Sequence, residues 1–430
     1  MRILVAIPWL PWPLDAGGNV AVFNSLACLQ RDHEFTLMFP VYGEDGARGA
    51  AALQAHLPGV RVRSVDCGSV AAVKRTGRQL IRRSLRRASR LGSGFISPRP
   101  TGVVVEPAED VPEYPFGPLP AKFVSAVMAE LKTGFDLVQL EFVQMLSLGA
   151  CLPIDVPRLF IHLQLQFVYL ERCAAVRSYG AYARYLEQMM LLQEKAYLQT
   201  FDGIVVFGDE DARRLREWIP NERIFVSPFP VIGGSMEREE SGANCSFLFV
   251  GSEGHFPNRD GLEWFLTEVW PQVLIQIPDC KLHVIGRWNE ATIAKLSAVG
   301  VEFVGFVPDL AASLKDGVML VPIRIGSGIR VKILDAMSHG APVISTTIGC
   351  EGIPASDESE ILIRDDSKGF ADAVVRLAKS RESRERLSIA ARGLVSSFYS
   401  PERVRNERNE IYRSMLARKH NTLYSSRQGD

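Results

Sequence analysis

Short apolar runs alternate with helical stripes along this 430-residue chain, and the alternation stops at a polar break over residues 232–246 and then restarts. The first series offers strands over residues 3–7, 35–39, 60–65, 137–141, 158–162 and 203–207, with helical patterns at 19–31, 121–132 and 182–200. The break carries Gly233, Gly234 and the charge run Glu237-Arg238-Glu239-Glu240. Beyond it, strands are expected at 247–250, 281–285, 301–304, 317–321, 342–345 and 361–363. Helices are expected at 260–277, 290–299, 329–339, 367–379 and 383–398. Alternation of this kind predicts a parallel sheet with helices on both faces, so the fold class is α/β, with two Rossmann-like doubly wound domains. Residues 1–231 form the first domain, 232–246 the linker and 247–400 the second. A break at Ser400-Pro401 sets off a C-terminal helix and tail, 401–430, expected to return to the first domain.

Composition narrows the class. The chain is 47% apolar and 23% charged, as a globular protein with ample core would be. Its 49 basic and 49 acidic residues balance, so no global field favours nucleic acid. Seven cysteines are scattered without metal-type spacing, which fits reduced thiols and a cytoplasmic location. The apolar stretch 3–10 contains Pro8 and reads as a first strand rather than a signal sequence. No apolar run reaches the roughly 20 residues that span a bilayer. Neither half places G-x-G-x-x-G after its first strand, which disfavours a dinucleotide dehydrogenase.

Residues 321–343, VPIRIGSGIRVKILDAMSHGAPV, say most about chemistry. A strand end runs into the turn Gly326-Ser327-Gly328. Ile329, Ile333 and Met337 then recur at helical spacing, and Gly340 and Pro342 end the helix. A small-residue loop before a helix leaves backbone N–H groups free at the positive dipole end, an anion site. Arg330 and Lys332 oppose that dipole on stability grounds and make sense if a diphosphate docks there. An ordinary strand–loop–helix connection would show the same local pattern.

Five segments of the second half, taken in order, carry a resemblance: FLFVGSEGHFPNRDGLEWFL (247–266), KLHVIGR (281–287), VEFVGFVPDL (301–310), the stretch 321–343 and STTIGCEGI (345–353). Together they resemble the nucleotide-binding domain of glycosyltransferase family 4. The first half is similar more loosely, through IPWLPWPLDAGGN (7–19) and PRLFIHLQLQFVYLER (157–172). The resemblance implies a GT-B fold, two domains facing a cleft, with the nucleotide-sugar donor on the C-terminal domain, the acceptor on the other, and retention at the anomeric carbon.

It also implies roles. The family's two donor-binding glutamates fall on Ser327 and Asp335; the first would meet sugar hydroxyls and the second the ribose. Backbone N–H groups of Gly328, Ile329 and Arg330 would meet the distal phosphate. The family's Arg and Lys clamp falls on Ser252 and Asn258 and is absent, leaving Arg324, Arg330 and Lys332 to offset the leaving-group charge. Only one of Arg330 and Lys332 is expected to reach it, because an i, i+2 pair points to different helix faces. The loops at Gly286-Arg287 and 305–308, with Val307, would read the base. His162 matches the family's active-site histidine, although Leu163 and Gln164 follow where Asp or Asn is usual. Gly17 and Gly18 would approach the diphosphate or acceptor, or form a simple turn. Glu141 is an acceptor-side candidate. Asp209-Glu210-Asp211 reads as a helix start, not a metal motif. The donor would be a UDP-, GDP- or dTDP-sugar and the acceptor a glycan or lipid-linked sugar, with no cofactor and no essential metal.

Residues 74–90 hold eight basic residues and no acid, with Leu80, Ile81 and Leu85 on an apolar side. Such a helix suits an anionic membrane surface, here the inner face, or a solvated helix paired with the acidic segment 106–113. The favoured reading is a retaining glycosyltransferase of cell-surface polysaccharide or glycoconjugate synthesis. An epimerase on the same fold and a non-catalytic nucleotide-sugar-binding protein are the alternatives.

Overall fold

The computed structural model describes residues 1–68, 115–176, 181–233, 246–307 and 310–427. The basic segment 74–90 and most of the linker lie outside them. The first sheet has seven parallel strands: β1 Arg2–Ala6, β2 Glu34–Val41, β3 Val60–Asp66, β4 Leu137–Glu141, β5 Arg158–His162, β6 Gly203–Val206 and β7 Ile224–Val226. The second has six: β8 Ser246–Val250, β9 Leu282–Ile285, β10 Val301–Gly305, β11 Gly317–Val321, β12 Val343–Ser345 and β13 Leu362–Ile363. Their orders are β3-β2-β1-β4-β5-β6-β7 and β10-β9-β8-β11-β12-β13. Each chain of strands grows outward in two directions, from β1/β4 and from β8/β11. The crevice outside the carboxyl ends at such a switch point is where ligands bind in open α/β sheets.

The helices are α1 Gly17–Leu29, α2 Gly43–His56, α3 Ala121–Leu131, α4 Gln166–Val176, α5 Ala181–Leu198 and α6 Asp209–Arg216 in the first domain. The second adds α7 Phe256–Trp264, α8 Trp270–Gln276, α9 Glu290–Leu296, α10 Leu310–Asp316, α11 Val331–Ser338, α12 Ser367–Lys379 and α13 Arg381–Phe398, and α14 Pro401–Arg427 ends the chain. The helix expected over 260–277 is two helices joined by a π turn, Phe265–Val269, with Pro271 opening the second. Proline lacks the N–H that a continuous ladder needs, and its place in a helix's first turn is the tolerated one. Central strands are buried along their whole length, which is why they read as continuous apolar runs. One apolar cluster joins the domains, combining Ile3, Val5 and Val205 with Leu248, Met319 and Ile333.

The last helix, α14, lies on the first domain. Tyr412 Oη donates to Gln139 Oε1 at 2.7 Å, Asn409 Nδ2 to Asp32 at 2.6 Å, and the buried Arg408 to the Ser227 carbonyl at 3.3 Å. Glu141 belongs to this contact and does not reach the cleft, contrary to the acceptor-side expectation. Alternation along β4 puts Gln139 and Glu141 on one face, and there Gln139 Nε2 donates to Glu141 at 2.6 Å. Burial pushes the Glu141 carboxyl up to about 7, against the pull of Gln139 and Arg408. An acid raised in the folded state holds its proton longer than in the unfolded chain. Stability therefore falls as pH climbs from about 4.5 to about 7. Glu141→Gln keeps the acceptor and removes the charge. It is expected to stabilise the protein by about 1–3 kcal/mol at pH 8 and by less at pH 5, read as urea midpoints. An equal effect at both pH values refutes this.

Candidate functional site

The two switch points face each other across one cavity of about 1190 Å³. From the first domain it is lined by the loop after β1 (Trp9, Asp15–Asn19), by Phe142 and Gln144 after β4, and by His162–Gln164 after β5. From the second come Val250–Phe256 after β8, Arg287 after β9, and Gly326, Ser327 and Ile329–Lys332 after β11. Three helices begin at its wall: α1, α7 and α11. None has a side-chain cap among the described residues. Their first-turn N–H groups thus lack that source of partners, and three positive dipole ends converge on one space.

The glycine loop explains how α11 starts. Gly326 (φ 137°) and Gly328 (φ 73°) adopt conformations that side chains rarely take. A Cβ at Gly328 would stand 2.1 Å from the Leu163 carbonyl oxygen of the other domain. The helix begins at Val331, two residues later than the apolar stripe suggests, because Arg330 is extended (φ −85°, ψ 97°). Arg330 and Lys332 therefore do not share a helical i, i+2 relation, and both line the cavity. Arg330 donates to the carbonyls of Ser327 and Gly328, and its other terminal nitrogen is buried with no hydrogen-bond partner among the described residues. A buried donor in that state needs an acceptor. Lys332 Nζ donates to Val250 O at 2.6 Å and Asn258 Oδ1 at 2.9 Å and lies over the Phe249 ring. Burial, then repulsion by Arg330, draws its pKa down to about 7. His255, at the cleft wall just before α7, is lowered to about 4 by desolvation within the cleft first and by Lys332 and Arg330 next. Arg330 and Lys332 repel one another, so an anion beside them is favoured.

Other expected residues are placed differently. Arg324 is paired with Asp260 at 2.9 and 3.1 Å over Trp264, off the cavity. Ser327 is buried, and its hydroxyl accepts from Leu165 N at 2.8 Å and donates to Leu165 O at 3.2 Å, a contact between the domains. Asp335 lies one turn along α11 beside His339, its side chain 41% exposed, outside the cavity lining. Gly286 (φ 139°) packs against Gly251 and bonds Gly305, so it shapes the loops. Arg287 stacks on Phe306 and pairs with Asp15 across the cleft mouth at 3.1 Å. Val307 is half-buried against the shared core. Gly17 opens α1 against Val331, and a Cβ at Gly18 would meet Phe142 at 2.7 Å, so both glycines serve close approach. His162 is buried at the cavity edge, Nε2 3.2 Å from Glu194. Glu194 in turn accepts the backbone N–H groups of Gln166 and Phe167. Asp209–Asp211 form the first turn of α6, where acids suit the dipole. Asp211 is buried there and raised to about 6, chiefly by burial.

The residues that sequence reading missed are His255, Glu194, Arg172 and Glu351. Each acquires its surroundings from chain segments far away, and no spacing marks it. Among the described residues, no group of three His, Cys, Asp or Glu could hold a metal, and no helix is long and apolar enough to cross a membrane.

Comparison with known proteins fits this geometry. Residues 244–380 match the family model for glycosyl transferases group 1. An uncharacterized 44.6 kDa protein in the cps region of Klebsiella pneumoniae is 25% identical over 217 residues, 48% of this chain. The match covers 54% of that protein, about half its length. Among solved structures, sucrose-phosphate synthase from Thermosynechococcus elongatus superposes with a TM-score of 0.66 at 17% identity, over 97% of this chain and 100% of that one. TarM of S. aureus, in complex with fondaparinux, α-GlcNAc-glycerol and UDP, gives 0.66 at 10% identity, over 96% and 99%. Anabaena HepE with UDP-glucose gives 0.60 at 12%, over 96% and 100%. The chain has the two-domain GT-B fold, and over residues 244–380 it is similar to the glycosyl transferases of group 1.

Proposed function

We propose that this protein is a retaining glycosyltransferase of the family 4 type. It takes a sugar from a nucleoside-diphosphate donor and passes it to a glycan or lipid-linked acceptor in cell-surface polysaccharide or glycoconjugate synthesis. The observation that carries this reading is the convergence of three helix N-termini with Arg330, Lys332 and His255 on one interdomain cavity. A diphosphate between them would take the free N–H groups of α11 and the unpaired Arg330 nitrogen, and the charge growing on it as the sugar leaves would be offset by Lys332. The base would lie toward Gly286, Arg287 and Val307, and the ribose would reach round the first turn of α11 toward Asp335. His162, held beside Glu194, would face the sugar from the acceptor side. Lys332 and Arg330 supply positive charge at the diphosphate, so turnover is expected to survive EDTA. UDP-sugars are the first donors to try, because the TarM and HepE structures hold UDP or UDP-glucose. Docking at the inner membrane face rests on residues 74–90 alone, and liposome flotation with and without anionic lipid tests it.

The deciding experiment is a screen of UDP-, GDP- and dTDP-sugars by calorimetry and by donor hydrolysis. Binding plus a new glycosidic bond supports the proposal. Donor converted to its epimer without transfer, or bound without turnover, would favour the alternatives. No binding of any donor refutes the site.

A further inference from the structure

The glycine loop of the second domain is gripped by a side chain of the first. Arg172, on α4, gives its guanidinium to Glu351 in a two-pronged contact, at 2.5 Å to Oε2 and 2.6 Å to Oε1. The prong that meets Oε2 also donates to the carbonyl of Gly326. The side chains of both partners are mostly buried, 21% and 16% exposed, and the Glu351 hydrogen bond raises the arginine's pKa, so its charge is permanent. The same loop meets the first domain twice more, at Ser327 with Leu165 and at Gly328 against Leu163. A Cβ on Gly208 of the first domain would likewise stand 2.8 Å from Gly352, next to Glu351. Arg330 hangs from this loop through the Ser327 and Gly328 carbonyls, so its placement follows the loop's.

We propose that Arg172 is a positioning residue. From the acceptor-side domain it fixes the Gly326–Gly328 loop, and through it Arg330, in the geometry that receives the diphosphate, while Glu351 holds the guanidinium in register. The inference rests on the cavity being the donor site. A two-pronged contact suits the task because it fixes orientation as well as distance. A plain interdomain ion pair would act otherwise: removing either partner would have the same effect.

Single and double alanine variants separate the two. Glu351→Ala breaks the ion pair but leaves the Arg172 donor to Gly326, and Arg172→Ala loses both. Donor KM and UDP affinity are expected to worsen about tenfold or more in Arg172→Ala and clearly less in Glu351→Ala. The double variant should resemble Arg172→Ala alone, since Glu351 acts through the arginine. Arg172→Lys, which keeps the charge and loses the fork, serves if the alanine variant does not fold, and should also raise KM. Equal KM effects of the two single alanine variants, or wild-type UDP affinity in folded Arg172→Lys, would overturn the inference. If the wild-type protein itself binds no UDP, GDP or dTDP, the donor-site reading has failed instead.

Discussion

Lys332→Met should weaken the binding of a nucleoside diphosphate by about 10- to 100-fold, the loss expected for a hydrogen bond to a charged group, while the protein stays folded. The ammonium sits at the start of α11, where the dipole is positive, beside Arg330, which also repels it. Among the described residues, the Val250 carbonyl, Asn258 and the Phe249 ring are what reward that placement. The lowering of its pKa to about 7 has the sign of that penalty. A lysine lowered in the folded state binds fewer protons than in the unfolded chain between about pH 7 and its ordinary value near 10.4. Wild-type stability should therefore rise with pH over that window, and methionine, of similar length, should cost little stability near neutrality. Binding runs the other way. A diphosphate favours the ammonium and draws a proton in, so affinity should fall from about pH 7.5 to about pH 9, by at most tenfold per unit for one proton. Calorimetry in two buffers of different ionisation enthalpy reads the uptake. The variant should show neither the slope nor the proton, and a slope kept unchanged in Lys332→Met would assign it to another group.

The position of Lys332 also shows what the sequence could and could not reveal. The segment 321–343 was legible because its signals are local: a strand, a glycine turn, a stripe at helical spacing and a proline stop. Both sheets follow from the same kind of signal, since buried parallel strands are short apolar runs. Ser252 and Asn258 looked like a lost cationic clamp. In space, the ammonium of Lys332 bonds to Asn258, so a cation reaches that place from a residue 74 positions away. Arg324 shows the converse, a residue in the right segment turned aside by Asp260, 64 positions back. Glu141 looked like a free carboxylate at a strand end because Arg408 and Tyr412 of α14, whose charge and ring act on it, come more than 260 residues later. Periodicity fixes which face a residue takes. It does not say what the opposite face of another element will bring to it.

Gly328→Ala should all but abolish nucleotide binding and lower stability by about 2–4 kcal/mol, the left-handed backbone alone accounting for about 1–3. The rest is steric. The added methyl, fixed by its own backbone, would stand 2.1 Å from the backbone carbonyl of Leu163, so no flexible side chain can swing clear. Relief requires the domains to part or the loop to shift. Parting strains the Ser327–Leu165 bonds and the Arg172 grip on Gly326, and shifting moves Arg330, which hangs from the Gly328 carbonyl. Either way the cavity loses the arrangement of cations it presents to a diphosphate. Gly117→Ala, at an exposed position with open space around it, is the control and should behave as wild type. Denaturation midpoints and UDP titration on the three proteins test the argument. Wild-type affinity in Gly328→Ala would mean that the glycine loop does not set the donor site, because a loop forced to move by a backbone clash would then have left the site as it was.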